Sequence, residues 1–296
     1  MNTEQFLAIA PQLVLSATIV ILLFLISWHR TQATIQYVSI IGVLLSFVSI
    51  FVVSAPTDIN VTHLVYVDKT SQVGLALIVL CGLVCLMLSR EYLSHSVEEH
   101  DEYYVLVLLV LLGASILIVS NHFASLFLGF ELMSIPLIGL VAYLRNRDIG
   151  LEAEFKYLVL SASASSFMLL GIAFIYAATG KMSFEFSVSP AIPNGLTFMT
   201  LGIVLFIVGI CFKLSLVPFH VWTPDLYQGT PIPVVILLAT VSKLSIFIVF
   251  MKFWLAGKIF DSYYISQVIT IVAIASMVIG NVLALQQENI KRLMAY

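Results

Sequence analysis

Charged side chains lie inside long apolar stretches of this sequence. Side chains in such positions can serve to bind and release protons. Glu131 is near the middle of the stretch 124–144, and Lys243 is midway along the stretch 231–254. A charge at the centre of a bilayer costs about 2.5–3.5 kcal/mol on insertion scales. Burial disfavours a charged lysine and a nearby carboxylate favours it, so a lysine subject to both effects can bind and release a proton. Both residues are therefore candidates for proton transfer, with a protonated, structurally hydrogen-bonded glutamate as the alternative for Glu131.

Two further lysines lie closer to the ends of apolar stretches. Lys213 is near the end of the stretch 196–217, and Lys156 is near the start of the stretch 154–177. For each of them, a long stem that carries the ammonium out to the membrane interface is the alternative to a functional role. The run "SASASS" at 161–166 is interpreted as a surface for close helix packing, with the lining of a hydrated path as its alternative.

The segment that follows Lys213 interrupts the hydrophobic pattern. Four prolines and a glycine fall between positions 218 and 233. Irregular backbone at membrane depth persists only where protein or water surrounds it, and broken helices of this kind hold ion sites in transporters. We therefore predict a broken helix near Pro218. Its predicted loop comprises Pro218, His220, Trp222, Pro224 and Asp225.

Membrane-spanning helices must position these residues. The chain has 296 residues, of which 61% are hydrophobic and only 10% are charged, whereas soluble proteins contain about 25% charged residues. A spanning helix needs about 20 mostly apolar residues. The stretches that qualify are 6–28, 36–55, 71–89, 104–120, 124–144, 154–177, 196–217, 231–254 and 265–285. Because the linkers are short, we predict an all-α polytopic transmembrane helix bundle that forms a single transmembrane domain over residues 1–296.

The composition also excludes several classes of protein. Thirteen Lys and Arg against 16 Asp and Glu give a net charge of −3, which offers no electrostatic footprint for nucleic acid. Cys81, Cys85 and Cys211 all lie in apolar runs without a C-x-x-C or Cys/His cluster, so no disulfide, metal site or redox centre is expected. The first apolar run has no basic region before it and is predicted to be a spanning helix rather than a signal peptide.

The basic residues predict an orientation in the membrane. Counting helices in order places one group on one side, namely Arg30, Arg90, Arg145, Arg147, Lys291 and Arg292. The other side receives Lys69, Lys181, Lys252 and Lys258. The positive-inside rule puts the first group in the cytoplasm and the N-terminus outside it. The final residues, "ENIKRLMAY", are predicted to be a loop and the opening of one more helix, so we expect the sequence to be C-terminally truncated.

Five segments carry a resemblance to a known family. They are "FLGFELMSIPLIGLVAYL", "EAEFKYLVLSASASS", "FKLSLVPFHVWTPDLYQGTPIPV", "LLATVSK" and "GNVLALQQENIKRLMAY". In this order, between roughly Phe6 and Tyr296, the chain resembles the antiporter-like membrane subunits of the proton-pumping NADH:quinone oxidoreductase, respiratory complex I. Those subunits are similar to subunits of multisubunit cation/proton antiporters. The "WTPD" form together with "LLATVSK" resembles subunit N more than its sister pump subunits.

The resemblance implies a fold and a set of roles. The chain would be the first inverted repeat of an antiporter-like fold. Glu131 would be the acid of the first half-channel, Lys213 its partner, Lys243 the central proton carrier and Lys156 an additional helix lysine. Family members continue beyond Tyr296 with a second inverted half, which this chain is expected to lack. Three small departures, Gln228, Ile232 and Val235, replace a common glutamate and two frequent threonines and make the loop slightly less polar.

The resemblance also implies a cellular context. The protein would be a multi-pass, non-redox subunit of a translocase in the bacterial inner membrane, moving protons with energy from electron transfer elsewhere in the complex. Its partners would be other membrane subunits of complex I, and it would bind no cofactor itself. NADH, FMN, the iron–sulfur clusters and quinone would belong to other subunits. The alternatives are a subunit of a cation/proton antiporter, a structural membrane scaffold and a stand-alone oxidoreductase, and the lack of a cofactor motif disfavours the last.

Overall fold

The computed structural model describes residues 2–28, 31–52, 58–94, 101–141, 143, 148–185, 194–257 and 263–296. The helices in this part of the chain are α1 (Thr3–Ala8), α2 (Ala10–Trp28), α3 (Gln32–Val52), α4 (Lys69–Ser94), α5 (Asp101–Val119), α6 (Phe123–Val141), α7 (Asp148–Thr179), α8 (Gly195–Leu214), α9 (Trp222–Gly229), α10 (Ile232–Leu237), a π-helical turn (Leu238–Ser242), α11 (Lys243–Ala256), α12 (Tyr263–Ala284) and α13 (Ile290–Ala295). A short antiparallel ribbon, β1 (Ile59–Asn60) and β2 (Tyr66–Val67), pairs Ile59 with Val67.

Within the described residues, nine helical spans are long and apolar enough to cross a bilayer. This confirms the all-α polytopic prediction and the predicted number of spans. The bounds differ by a few residues, so that the stretch predicted at 71–89 becomes Lys69–Leu93 and the stretch at 154–177 becomes Gly150–Thr179. The ninth predicted stretch corresponds to Ile265–Ala284. Four of the basic residues used for the orientation, namely Arg30, Arg145, Arg147 and Lys258, lie outside the described residues, so the orientation stays a prediction.

The chain divides into two compact units, of which the first comprises Met1–Tyr143 and Ile232–Val249. Helix α5 is the most enclosed helix of this unit, with 72% of its span buried. Helix α6 packs closely on it because glycines lie where the two backbones meet. A Cβ atom added at Gly129 would lie 2.8 Å from the backbone nitrogen of Leu117. Small residues allow this kind of approach between helices in a membrane.

The second unit comprises Leu144–Pro231 and Phe250–Tyr296. Its main contact is between α7 and α8, which run antiparallel. A Cβ atom added at Gly171 would lie 2.6 Å from the nitrogen of Phe206 and 2.7 Å from the oxygen of Gly202. The two backbones therefore touch, and any side chain larger than hydrogen would push them apart.

The end of the second unit contains the helix opening predicted from "ENIKRLMAY". Asn289 precedes α13, and its side-chain oxygen accepts a hydrogen bond from the backbone nitrogen of Lys291 at 2.9 Å. An asparagine that accepts from the first turn in this way is a typical helix N-cap. Helix α13 packs against α9. Helix α12, by contrast, has only 6% of its span buried within the described structure.

Candidate functional site

Lys213 lies in the last turn of α8, and its side chain is inside the second unit, with an exposed fraction of 2%. Its Nζ donates a hydrogen bond to Ser161 Oγ at 2.9 Å and another to the hydroxyl of Tyr157 at 3.2 Å. The same Nζ lies 5.1 Å from the centre of the Tyr157 ring, a distance at which an aromatic face attracts a cation. The alternative that Lys213 extends to the interface is therefore wrong, because the hydroxyls of α7 hold its ammonium inside the protein.

The sequence positions this lysine through a row of small residues on both helices. Close contact at the glycines fixes which face of α7 meets α8, and each further turn of α8 meets an earlier turn of α7. Ser161 and Tyr157 are four residues apart, so both are on the face of α7 that meets the last turn of α8. The run at 161–166 thus serves packing at Ala164 and lysine binding at Ser161. The facing pairs along the two helices are Gly202–Gly171, Gly209–Ala164 and Lys213–Ser161.

The predicted break in the helix follows directly and confirms the prediction of a broken helix near Pro218. Helix α8 ends at Leu214, and the C-cap residue Ser215 has a φ of 59°, in the left-handed region. The next peptide bonds include a cis bond between Val217 and Pro218. The freed backbone nitrogen of Val217 donates to Ser276 Oγ of α12 at 3.0 Å. Side chains thus satisfy backbone groups that the helix no longer satisfies, as a break at membrane depth requires.

Trp222 connects the break to the lysine site. Its Nε1 donates to the backbone oxygen of Phe212 at 3.3 Å, and its ring stacks on the Phe212 ring with centroids 5.1 Å apart. On the other side, the indole packs on the Tyr157 ring at 4.9 Å. The tryptophan therefore supports the ring whose hydroxyl binds Lys213. Of the predicted loop residues, Pro218 and His220 lie in the break, whereas Trp222, Pro224 and Asp225 lie in α9, so the predicted loop was too long. The helix can begin this early because a missing N–H, such as that of Pro224, is tolerated in the first turn.

Asp225 lies at the partly exposed edge of the same helix and holds one cation on each oxygen. Its Oδ1 accepts from Arg292 of α13 at 2.9 Å, and its Oδ2 lies 3.4 Å from Lys156 Nζ. Lys156 also pairs with Glu152 at 2.7 Å, and its side chain is 47% exposed. Lys156 is thus part of an exposed ion-pair network at one end of α7, whereas the next residue, Tyr157, is buried.

Two further contacts dock α13 on α9. Arg292 donates to Gln228 Oε1 at 2.9 Å, and Lys291 Nζ donates to the backbone oxygen of Thr230 at 2.8 Å. Gln228, where the family resemblance leads us to expect glutamate, therefore still offers an oxygen to the arginine. His220 contacts the ring of Tyr296 with centroids 5.9 Å apart. Its Nδ1 is buried and has no hydrogen-bond partner among the residues that the structure describes.

Glu131 and Lys243 belong to the first unit. Glu131 is half-buried at the centre of α6, five residues before Pro136. Lys243 is half-buried at the start of α11, directly after the π-helical turn. Its neighbour Ser242 is buried, and the Ser242 carbonyl accepts a hydrogen bond from Ser245 Oγ at 3.0 Å. Because Lys213 is in the other unit, the predicted partnership of Glu131 with Lys213 stays a prediction.

Several features of these sites were not predicted from the sequence. Tyr157, Ser161 and Arg292 were not singled out as partners of the predicted residues. The spacing of Tyr157 and Ser161, two hydroxyls four residues apart on an apolar helix, is the pattern that could have indicated a polar face. The π-helical turn before Lys243 was also missed, and such turns occur frequently at functional sites.

Comparisons with known proteins identify the fold and the family of the chain. Residues 120–296 match the family described as "NADH:quinone oxidoreductase/Mrp antiporter, TM". A chain of respiratory complex I from Thermus thermophilus is 30% identical with a TM-score of 0.83, over 97% of this chain and 61% of that chain. A chain of the archaeal membrane-bound sulfane sulfur reductase is 24% identical with a TM-score of 0.79, over 100% of this chain and 62% of that one.

A chain of the Mrp complex from Dietzia sp. DQ12-45-1b is 20% identical with a TM-score of 0.83, over 100% of this chain and 56% of that one. The last two likenesses show a shared fold. The chain spans about three fifths of the length of the solved chains it matches. The family match covers more than half of the sequence and includes the broken helix, Lys213 and Lys243, so the chain belongs to the NADH:quinone oxidoreductase/Mrp antiporter transmembrane family.

Proposed function

We propose that this chain is a proton-translocating membrane subunit of an NADH:quinone oxidoreductase, corresponding to subunit N. The observation that carries the proposal is the Lys213 ammonium, buried beside a broken helix and held there by two hydroxyls. Burial of an ammonium costs free energy, and ionisable residues retained within membrane segments are therefore usually functional. The identity of 30% with the complex I chain, against 20% with the Mrp chain, supports the choice of complex.

In the proposed mechanism, protons occupy titratable side chains one after another. Lys243 is the central carrier, since it lies in the middle of a spanning segment and directly after a π-helical turn, which can re-form as α-helix by shifting hydrogen bonds. Lys213 accepts and releases a proton beside the broken helix, and Glu131 supplies the acid within the first unit. Lys156 serves at the exposed end of α7, where its ion pair with Asp225 ties it to α9.

The proposal assigns no redox step to this chain. NADH, FMN, the iron–sulfur clusters and quinone are proposed to bind to other subunits, and electron transfer there supplies the energy. Other membrane subunits of the complex are the proposed partners, in a bacterial inner membrane. This chain would contribute only side chains that hold protons and a helical framework that excludes bulk water from them.

The experiment replaces Lys243 in the complete complex and measures proton pumping by membrane vesicles with a pH-sensitive dye, while NADH oxidation drives the reaction. Lys243→Ala should abolish most pumping, and Lys243→Arg should also impair it, because arginine does not release its proton. Lys252→Ala is the matched control on the same helix, since Lys252 lies near the helix end. Near-normal pumping by assembled Lys243→Ala complexes would contradict the carrier role.

The same vesicles distinguish the second candidate, a subunit of a cation/proton antiporter. The fold itself does not separate the two, since both solved chains match with a TM-score of 0.83. An antiporter subunit would exchange sodium for protons when a sodium gradient is imposed without NADH. A complex I subunit would respond to NADH and would be indifferent to that gradient.

A further inference from the structure

We propose that Tyr157 and Ser161 are positioning residues that hold the Lys213 nitrogen in one place whether it is charged or neutral. This inference rests on the proposed function, in that it assumes that Lys213 exchanges protons. It goes beyond that function because it names the two hydroxyls of α7 that keep the Lys213 nitrogen in one position.

The chemistry of a hydroxyl suits a partner that changes its charge. An ammonium offers only donors, so each hydroxyl oxygen accepts from it, as the distances of 2.9 Å and 3.2 Å show. A neutral amine has a lone pair, and a hydroxyl can turn its hydrogen to donate to it. A carboxylate has only acceptor atoms, so it can accept hydrogen bonds from the ammonium but cannot donate one to the lone pair of the neutral amine. The two hydroxyls therefore match both protonation states without any movement of the lysine.

The surroundings hold both hydroxyls in place. Tyr157 is 1% exposed and Ser161 is 3% exposed, so bulk water does not compete for either group. The Tyr157 ring is fixed from the side by Trp222. Since both residues project from one face of one helix, their separation is set by the helix itself and stays constant when neighbouring segments move.

The same run of sequence contains a natural control. Ser163 and Ser166 are exposed, and each donates a hydrogen bond to a carbonyl of its own helix at 2.9 Å. They share the helix and the residue type of Ser161 and lie two and five residues from it, but do not share its contact with the lysine. An effect that appears at position 161 alone therefore cannot come from the small size or hydroxyl content of the run.

The test uses the complete complex with the substitutions Tyr157→Phe, Ser161→Ala and Ser161→Thr, the controls Ser163→Ala and Ser166→Ala, and the reference Lys213→Ala. NADH-driven proton pumping per assembled complex is measured across a series of pH values. We expect roughly tenfold slower pumping and a displaced pH profile for Tyr157→Phe and Ser161→Ala, as loss of one hydrogen bond to a charged group predicts. Ser161→Thr, which keeps the hydroxyl, should retain most of the rate, and both controls should match the wild type.

The outcomes separate this inference from the proposed function. If Lys213→Ala pumps normally, the assumed role of Lys213 is wrong, whatever the hydroxyl variants do. If Lys213→Ala abolishes pumping while Tyr157→Phe and Ser161→Ala pump with the wild-type pH profile, the positioning role alone is wrong. If Ser161→Ala is normal and Ser161→Thr is impaired, position 161 requires a small residue rather than a hydroxyl, and the inference is overturned.

Discussion

Replacing Gly171 with alanine tests whether the close approach of α7 and α8 sets the geometry around Lys213. The new Cβ would lie 2.6 Å from the nitrogen of Phe206 and 2.7 Å from the oxygen of Gly202. Ordinary contacts of a Cβ begin at 3.4 Å, so the helices must separate by about 0.8 Å, which is 3.4 minus 2.6. Because both clashing atoms are backbone atoms, a change of rotamer cannot relieve the contact.

The separation of the helices carries two energetic costs. If the two helices separate as parallel rods, the 2.9 Å hydrogen bond between Lys213 and Ser161 lengthens to about 3.7 Å. That length is beyond the range of a hydrogen bond. Overpacking typically costs about 1–3 kcal/mol, and a lost hydrogen bond to a charged group costs about 1.5–3 kcal/mol more. Gly171→Ala should therefore lower the stability of the protein and break the hydrogen bond between Lys213 and Ser161.

The assay combines a thermal-shift measurement on the purified complex with the dye assay of pumping. Gly171→Ala should lower the Tm and slow pumping by about as much as Ser161→Ala. Gly139→Ala is the matched control, because its Cβ would lie 3.8 Å from the side chain of Leu106, an ordinary contact. An unchanged Tm together with normal pumping in Gly171→Ala would show that helix spacing does not fix the Lys213 site.

A double-mutant cycle on thermal stability tests the pair of Arg292 and Asp225. The double variant of Arg292→Ala and Asp225→Ala should lose about 0.2–1 kcal/mol less stability than the sum of the two single losses, since the pair is partly exposed. Strict additivity would show that the two residues act independently. Gly74→Ala should lower the Tm less than Gly171→Ala, since the atom that its Cβ would meet at 2.6 Å, Ile248 Cδ1, is the end of a side chain that a change of rotamer can move; equal losses in Tm would contradict this distinction. Lys291→Cys should be labelled in intact cells only by reagents that enter the cytoplasm, and labelling by an impermeant reagent would contradict the predicted orientation.

The membrane spans and the break near Pro218 could be predicted from the sequence because each depends on local properties. A backbone in lipid must satisfy its own hydrogen bonds, so an apolar stretch of sufficient length is already enough to predict a helix. A helix can contain one proline, as α6 contains Pro136, but four prolines and a glycine within sixteen residues predict an interruption from the local sequence alone. Both predictions are confirmed in the described residues.

The environment of each charged residue could not be predicted in the same way. In the sequence, Ser161 and Ser163 look alike, and only the rotational position of α7 against α8 decides which of them meets Lys213. That position is set by backbone contacts ten residues away, at Gly171. The π-helical turn before Lys243 is equally hidden, since it consists of residues that fit an ordinary α-helix.

The consecutive residues Lys156 and Tyr157 both contact the short helix α9. The contact of Lys156 is exposed to solvent, and that of Tyr157 is buried. Lys156 reaches Asp225 in an exposed ion pair, while Tyr157 packs on Trp222 inside the protein. Dissolved salt weakens the exposed pair. Any change in the position of α9 that follows would act, through Trp222, on the Tyr157 ring whose hydroxyl binds Lys213. We therefore expect the ionic strength of the surrounding solution to affect the Lys213 amine through α9, although the amine itself is buried.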